Sequence, residues 1–267
     1  MEGAISNPWI KTPLVRSAAL SRVVGCDVWL KLDNLLPMTT SSHMISKIQI
    51  LEAQVIQTGK HWSDADRYLR EELLAKDNSG VYVPPFDHPD IWRGNSNVME
   101  EIEEDIQRLG IPSLDAVASE RLGRLAGRAG TKVVAVETEG TASFEAALKV
   151  GELVKLDHID SIATSLGASP VAAKSLEWGI KYGDNVRSVV LSDAESVKGM
   201  VWMVDEERLL VESACGVSVA VAINGVLNGI LEEDGASVEG KNVVIVVCGG
   251  SNISLKTLTE YRERFGV

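Results

Sequence analysis

Short runs of β-branched and aliphatic residues alternate along this chain with stretches whose apolar residues recur at helical spacing. Strands are predicted at 26–32, 81–83, 132–136, 186–191 and 243–247. The run at 132–136 is continuously apolar, which is typical of a parallel strand covered on both faces. The alternation of strands and helices predicts an α/β fold.

Local signals mark the ends of several predicted helices. Ser192 and Glu195 form a capping-box pattern, and Gly110 is placed to end the acidic helix before it. Pro170 is suited to a first helical turn, and Ser63 and Ser254 are suited to caps. The predicted helices are 42–53, 63–75, 97–109, 170–182, 192–203 and 216–231, with one more after Ser254.

The charge balance excludes two classes of partner. The 267 residues include 26 Lys and Arg against 38 Asp and Glu, so the net charge is −12. Nucleic acid and anionic membranes both need a basic face, so neither is expected as a partner. A hydrophobic share of 45% is ordinary for a folded protein and far above that of a disordered chain.

Cysteine content and the first residues indicate the compartment. Cys26, Cys215 and Cys248 are too far apart in sequence for a CxxC pair, which favours a reducing environment. The N-terminus lacks a basic segment followed by an apolar run, and no apolar stretch reaches the length of a spanning helix. We expect a soluble cytoplasmic protein.

The predicted strand 243–247 runs into two glycines, Gly249 and Gly250. Ligands of open parallel sheets bind beyond the carboxyl ends of the strands. Glycines there allow backbone to approach a flat ligand closely. From the dipeptide alone, a simple tight turn explains these glycines equally well.

Several segments together carry a resemblance to a known family. They are TPL at 12–14, VWLKLDNL, VYVPPFDHPDIWRGN, AVETEGTASFEAALKVGELVKLDHIDSIATSLGA, DEERLLVESACG and VVIVVCGGSNISL. In this order they resemble the pyridoxal-phosphate L-serine/L-threonine dehydratases, and most closely the short catabolic branch. The resemblance implies an open, mostly parallel twisted sheet with helices on both faces, of the tryptophan-synthase-β type. It also implies one domain over 1–267, with 34–83 as the remnant of a truncated smaller domain.

The resemblance implies the family's chemistry as well. Family members convert L-serine to pyruvate and ammonia, and L-threonine to 2-oxobutanoate and ammonia, with pyridoxal 5′-phosphate as cofactor. They form homodimers and serve amino acid catabolism and gluconeogenesis. A lysine holds the cofactor and then takes the substrate α-proton.

Three residues match cofactor-binding positions of the family: Cys248, Gly249 and Gly167. Cys248 matches the position that faces the pyridine nitrogen. A thiol is a weak neutral donor, which favours β-elimination over transamination. The alternative is that Cys248 is a small buried apolar residue.

A monovalent-cation site is also implied, with potassium as the expected ion. The matching positions are Glu137 by its side chain and Thr141, Leu166 and Ala168 by their carbonyls. Oxygen ligands of this kind suit hard cations. On its own, Glu137 would be explained equally well as an ion pair or a helix cap.

The family's lysine motif is missing. VWLKLDNLL is followed at once by PMTTSSHMISKIQ, which resembles a later family segment. If Pro37 is the motif proline, Ser42 stands in the lysine's place; otherwise the lysine's segment is absent. Lys31 matches a different strand lysine, and Lys47 would have to meet an ångström-scale geometric requirement. No catalytic residue is assigned.

Other departures affect the phosphate and the substrate region. After 114–119 the family has a run of glycines for the phosphate, whereas this chain has Arg121, Arg124 and Arg128 at helical spacing. These arginines could bind an anion, although a solvated helix face is the simpler explanation. Ser213 stands where the family pattern VEPACG has proline.

Two functional hypotheses follow. One is an L-serine/L-threonine ammonia-lyase family member whose catalysis is impaired. The other is a non-catalytic truncated remnant, or a partner subunit of a full-length homologue. A dinucleotide-binding domain ranks last because no GxGxxG follows an early strand.

Overall fold

In the computed structural model of the chain, the described residues are 14–32, 56, 58, 62–76, 82, 87–119, 130–247, 249–250 and 252–267. Several residues singled out above lie outside these ranges. They are Ser42, Lys47, Arg121, Arg124, Arg128 and Cys248, together with the predicted helix 42–53.

The described residues form one six-stranded sheet in the order β1-β2-β6-β3-β4-β5. The strands are β1 Leu14–Arg16, β2 Asp27–Leu32, β3 Ala116–Ser119, β4 Lys132–Thr138, β5 Val186–Leu191 and β6 Asn242–Val247. Only the edge pair β1 and β2 is antiparallel; every other neighbouring pair is parallel. The predicted open, mostly parallel sheet is confirmed.

The helices of the described residues follow in chain order. They are α1 Ala18–Val24, α2 Trp62–Tyr68, α3 Pro89–Asn95, α4 Asn97–Leu109, α5 Ser143–Val150, α6 Ala173–Lys181, α7 Asp193–Trp202, α8 Ser213–Ile223, α9 Val226–Glu232 and α10 Leu255–Phe265.

Strand β6 lies in the middle of the sheet, and its six residues are all buried. Because side chains alternate along a strand, Val243, Ile245 and Val247 face one core and Val244 and Val246 face the other. The first core is closed by α1, α7, α8 and α9, and the second by α4 and α5. Helices therefore cover both faces, as the continuous apolar runs predicted.

Two predicted helix ends are confirmed in detail. Helix α4 ends at Gly110, which takes the left-handed conformation with φ 67°. Helix α7 begins at a capping box in which Ser192 Oγ accepts from the Glu195 N–H at 3.3 Å and Glu195 Oε2 accepts from the Ser192 N–H at 3.0 Å. Local sequence decides these ends because each bond joins residues close along the chain.

The prediction of one continuous helix at 216–231 is wrong, because the chain forms two helices there. Helix α8 ends before Asn224, and Gly225 has φ 84°, so α9 begins in a new direction. The helix predicted at 170–182 begins later, at Ala173, so Pro170 lies ahead of the first turn.

The helix predicted at 63–75 is irregular. α2 ends at Tyr68 and continues as a π-helical turn over Leu69–Leu73. Ser63 lies inside α2, so it does not cap the helix as predicted. The Asp66 carboxylate, three residues after Ser63, accepts from Arg70 and from the Tyr82 hydroxyl, each at 2.5 Å. Tyr82, the described residue of the predicted strand 81–83, lies outside any strand.

Among the described residues, no single helix has the length and apolar composition to cross a membrane. The bent pair α8 and α9, at 58° to each other, reaches that length and composition only when the two helices are counted together. Residues Ser213 to Ala222 of α8 are all buried in the core.

At the amino end of the sheet, two lysines bind the last carbonyls of α9. Lys132 Nζ donates to the Ile230 carbonyl at 2.6 Å, and Lys241 Nζ donates to that of Leu231. Glu233 joins this cluster through Lys132 at 3.0 Å and Arg187 at 2.6 Å. Hydrogen bonds from Arg187 and then Lys132 lower the pKa of Glu233 to about 2.

Replacing Glu233 should weaken the fold in a pH-dependent way. The pKa of Glu233 is depressed on folding, so its stabilising contribution is present above its ordinary value of 4.5 and disappears as the pH falls towards about 2. We expect Glu233→Gln to lower the free energy of unfolding by about 1 kcal/mol at pH 7, since the group is partly exposed to solvent. Urea titrations at pH 7 and near pH 3 measure the difference.

The matched control is Glu232→Gln, which removes an exposed carboxylate one residue earlier. That variant should unfold like the wild type at both pH values. An effect of Glu233→Gln that stayed constant from pH 7 to pH 3 would contradict the ion-pair explanation.

Candidate functional site

The carboxyl ends of the parallel strands meet at one edge of the sheet, where ligands of such sheets bind. Glu137 lies near the end of β4, and Thr141 follows in a 3₁₀ turn. Leu166 ends a second 3₁₀ turn, directly before Gly167 and Ala168. Gly249 follows β6 closely. The site residues predicted from sequence that lie within the described ranges are thus spread over the loops of this edge.

Glu137 is a buried carboxylate at the start of α5, with 8% of the residue exposed. Its Oε1 accepts from the Phe144 N–H at 2.8 Å, and its Oε2 accepts from the Glu145 N–H at 2.9 Å. Burial raises the pKa of Glu137 above its ordinary value, while these backbone hydrogen bonds act in the opposite direction. The helix N-terminus further favours the anion.

A second group of polar side chains holds the loop that leads to Leu166. Ser161 Oγ lies 2.8 Å from Thr138 Oγ1 and donates to Asp193 Oδ1 at 2.6 Å. Asp193 Oδ2 accepts from the Ile162 N–H at 3.1 Å. Because Thr138 ends β4 and Asp193 begins α7, the loop is fixed between two regular elements.

The Ala168 carbonyl lies at the start of α5, as the Glu137 carboxylate does. Ser143 Oγ donates to the Ala168 carbonyl at 2.5 Å, and Ser143 precedes the two residues whose N–H groups bind Glu137. Thr141 lies two residues further back, where its Oγ1 accepts from the Thr138 N–H at 3.1 Å. The structure therefore brings Glu137, Thr141 and Ala168 to the start of α5. These three residues, with the predicted ligand Leu166, form the candidate cation corner.

The donor chemistry of this corner fits a monovalent cation. A buried carboxylate beside backbone carbonyls is a hard-oxygen set. Within the described ranges, no group of three or more His, Cys, Asp or Glu side chains is arranged to hold a metal ion. A cation here would depend on carbonyls, and the assignment of Glu137, Thr141, Leu166 and Ala168 stays a prediction.

Gly249, the first glycine after β6, is held by contacts within the protein. A Cβ added to Gly249 would lie 1.8 Å from Glu212 Oε1, so a side chain here would displace that carboxylate. The Gly249 N–H donates to Cys215 Sγ at 3.0 Å, and its carbonyl accepts from the Glu212 N–H at 3.3 Å. The loop is thereby joined to the start of α8.

Gly167 is similarly enclosed. A Cβ there would lie 3.0 Å from Ile159 Cγ2 and 3.0 Å from the Thr164 carbonyl oxygen. Both candidate cofactor-binding glycines thus serve close packing, and their part in binding pyridoxal phosphate stays a prediction.

Four of the described lysines are engaged away from this site. Lys132 and Lys241 bind carbonyls at the opposite edge of the sheet. Lys149 pairs with Glu145 at 2.9 Å, and Lys174 pairs with Glu177 at 2.6 Å. These four lysines are therefore not placed to hold a cofactor at this site, and we derive no reaction step through the cofactor.

The structure adds four residues that sequence patterns did not single out as site residues: Ser143, Ser161, Asp193 and Glu212. Each contacts a partner far along the chain, as Ser161 does with Asp193. The Asn252 Oδ1 atom, in the same loop region as Gly249, is buried with no hydrogen-bond partner. The one sequence signal for Asn252 was its place in the segment CGGSN, which matches the family pattern.

An open cavity of about 370 Å³ lies at the amino end of the sheet, away from this site. Arg16, Arg22, Cys26 and Asp27 are among its lining residues. Arg16 Nε donates to Asp27 Oδ1 at 2.6 Å. Burial raises the pKa of the Cys26 thiol to about 11, so the thiol is neutral and unreactive.

Comparison with known proteins defines the class. The family described as pyridoxal-phosphate dependent enzymes matches residues 35–249. The chain belongs to this family, and the resemblance found in the sequence is confirmed.

Individual relatives place the chain more closely. The "Serine dehydratase-like" protein of Rattus norvegicus is 38% identical over 86% of this chain and 71% of its own length. The "Catabolic L-serine/threonine dehydratase" of Saccharomyces cerevisiae is 33% identical over 85% of this chain and 67% of its own. The chain is therefore a member of the serine/threonine dehydratase branch, and shorter than these relatives.

A solved structure agrees with this placement. The fungal L-serine ammonia-lyase from Rhizomucor miehei superposes with a TM-score of 0.81 at 25% identity, covering 96% of this chain and 98% of that one. Threonine deaminase isoform 2 from Solanum lycopersicum, at 19% identity and a TM-score of 0.74, shows the same fold.

Proposed function

We propose that this chain is a serine/threonine dehydratase homologue that keeps the cation-binding corner of the lyase scaffold and lacks the amine needed for β-elimination. The observation that carries the proposal is the direct passage from VWLKLDNLL to PMTTSSHMISKIQ, which leaves no lysine in the family motif. The shorter length relative to the rat and yeast relatives supports it. L-Serine and L-threonine remain the substrates to test.

The described residues have a defined role in this proposal. Glu137 supplies a buried negative charge, and the carbonyls of Thr141, Leu166 and Ala168 supply neutral oxygens. A potassium ion would offset the burial that disfavours the Glu137 anion. The ion would thereby stabilise the loop 161–168 against the start of α5.

The remaining assignments belong to the same proposal. Cys248, Gly249 and Gly167 would form the retained wall of the pyridoxal-phosphate site, and 34–83 would be the remnant of the smaller domain. Homodimer assembly and a part in gluconeogenesis are proposed from the resemblance, and a cytoplasmic location is proposed from the cysteine content.

The missing amine gives the first test. Purified protein is incubated with pyridoxal phosphate, reduced with borohydride and mapped by peptide mass spectrometry, while pyruvate formation from L-serine is followed. We expect no labelled lysine and a rate roughly 100- to 10,000-fold below that of a homologue with the lysine motif, because a positioned proton-transfer group contributes about that much. That homologue is the positive control.

A labelled Lys47 together with pyruvate formation would contradict the proposal, because another lysine would then replace the motif lysine. Lys47→Ala would in that case abolish both signals.

The cation corner gives the second test. At a potassium concentration about ten times the dissociation constant, the wild type should melt roughly 3 °C higher than in a choline buffer of equal ionic strength. Glu137→Gln should lose this shift, because the neutral amide no longer supplies the charged ligand.

Glu145→Gln is the matched control, since it changes a neighbouring carboxylate that pairs with Lys149 and leaves Glu137 in place. It should keep the potassium shift. Equal melting of the wild type in potassium and choline would disprove the cation assignment.

A second candidate function, a partner subunit of a full-length homologue, is favoured by exposed apolar side chains on and near α5 and α6. Val150 is 62%, Leu153 45% and Ile180 56% exposed. Helices α5 and α6 are neighbours, with Gly179 of α6 against Phe144 and Leu148 of α5. Exposed apolar side chains on neighbouring elements are typical of interaction surfaces.

Mixing the chain with a full-length homologue tests this candidate. Light scattering after size exclusion should show a mixed species, and Ile180→Lys should reduce its yield at least about tenfold because a charge would be buried. Lys181→Gln, at the next residue of α6, is the control. Separate elution of the two proteins would contradict this candidate.

A further inference from the structure

Ser213, the first residue of α8, joins three parts of the candidate site. It is buried, with 5% of the residue exposed. Its Oγ donates to the Ile162 carbonyl at 2.9 Å, and its own carbonyl accepts from Ser196 Oγ of α7 at 2.7 Å. The residue thus connects α8 to α7 on one side and to the loop 161–168 on the other.

The two helices that carry this connection, α7 and α8, are packed backbone to backbone. A Cβ at Gly199 of α7 would lie 2.0 Å from the Gly216 carbonyl oxygen of α8, so the two helix backbones touch. Close-packed backbone leaves no room for sliding. The Ser213 hydroxyl is therefore presented to the loop from a fixed point.

Ile162 is held at both of its backbone polar groups. Asp193 Oδ2 accepts from its N–H at 3.1 Å, and Ser213 Oγ donates to its carbonyl. Between Ile162 and Ala168 the chain makes a 3₁₀ turn and passes Gly167, which is packed against Ile159. A displacement of Ile162 is thus transmitted to the carbonyls beyond the turn.

We propose that Ser213 is a positioning residue, whose hydroxyl fixes Ile162 so that the Leu166 and Ala168 carbonyls are held towards Glu137. The inference rests on the proposed cation corner for its purpose and on the Ile162 contact for its geometry. Proline, which the family pattern has at this position, carries no hydroxyl, so the contact is a property of this chain's sequence.

The chain offers a matched control in the same helix. Ser218 is fully buried in α8, and its Oγ has no hydrogen-bond partner. Ser218→Ala therefore removes the same atom as Ser213→Ala without removing a hydrogen bond. Ser213→Pro also lacks the hydroxyl and is compatible with a first helical turn, so it serves if Ser213→Ala does not fold.

The experiment compares the full-length wild type, Ser213→Ala, Ser213→Pro and Ser218→Ala. Amide hydrogen exchange of the segment 162–168 is measured in choline buffer without potassium, and thermal shifts are then titrated with potassium. We expect exchange about fivefold faster in both Ser213 variants and unchanged in Ser218→Ala, since one hydrogen bond is lost. The potassium concentration giving half the thermal shift should rise about fivefold in the Ser213 variants.

Exchange of 162–168 that is equal in Ser213→Ala and Ser218→Ala would overturn the inference, as would a lower melting temperature with an unchanged potassium midpoint. Exchange could be faster in the Ser213 variants while the wild type shows no potassium shift. That result would support the contact between Ser213 and the loop, and it would refute only the cation site. The two failures are therefore distinguishable.

Discussion

The close contact between α7 and α8 is the constraint on which the carboxyl edge of this sheet depends. Gly199 and Gly216 lie where the two backbones touch, and a Cβ at Gly216 would lie 2.4 Å from the Ser196 carbonyl oxygen. A side chain at either position would force the helices apart, at a cost typical of overpacked cores, about 1–3 kcal/mol or more. The approach places the starts of both helices side by side, with Asp193 on one and Glu212 and Ser213 on the other.

These helix starts organise the loops of the edge. Asp193 and Ser213 hold Ile162, while Glu212 fills the space beside Gly249. The loop after α5 and the loop after β6 are therefore ordered by residues between 193 and 216, and these contacts do not involve the family's lysine motif. This separation explains how the layered fold can be kept in a chain whose sequence lacks that motif.

Sequence patterns predicted the parts of this structure that local physics decides. The apolar strands β4 and β6 and the capping box at Ser192 depend on residues close in sequence. The short strand β3 has the sequence AVAS, a weak strand signal, and it forms because it pairs with both β4 and β6. The break between α8 and α9 was hidden by a continuous apolar run, although Asn224 and Gly225 are a turn signal. Among the site residues, Glu137 was indicated by the family motifs, but its contacts with α5 were not.

Glu137 shows why the scaffold and the chemistry can be separated in this chain. Burial disfavours its negative charge, and two backbone N–H groups at the start of α5 offset only part of that cost. A carboxylate in such a place is usually balanced by a cation or by a role in catalysis. Ser143 brings the Ala168 carbonyl to the same helix start. The proposed structural cation would offset this buried charge and order the loops, a role that does not require the missing amine.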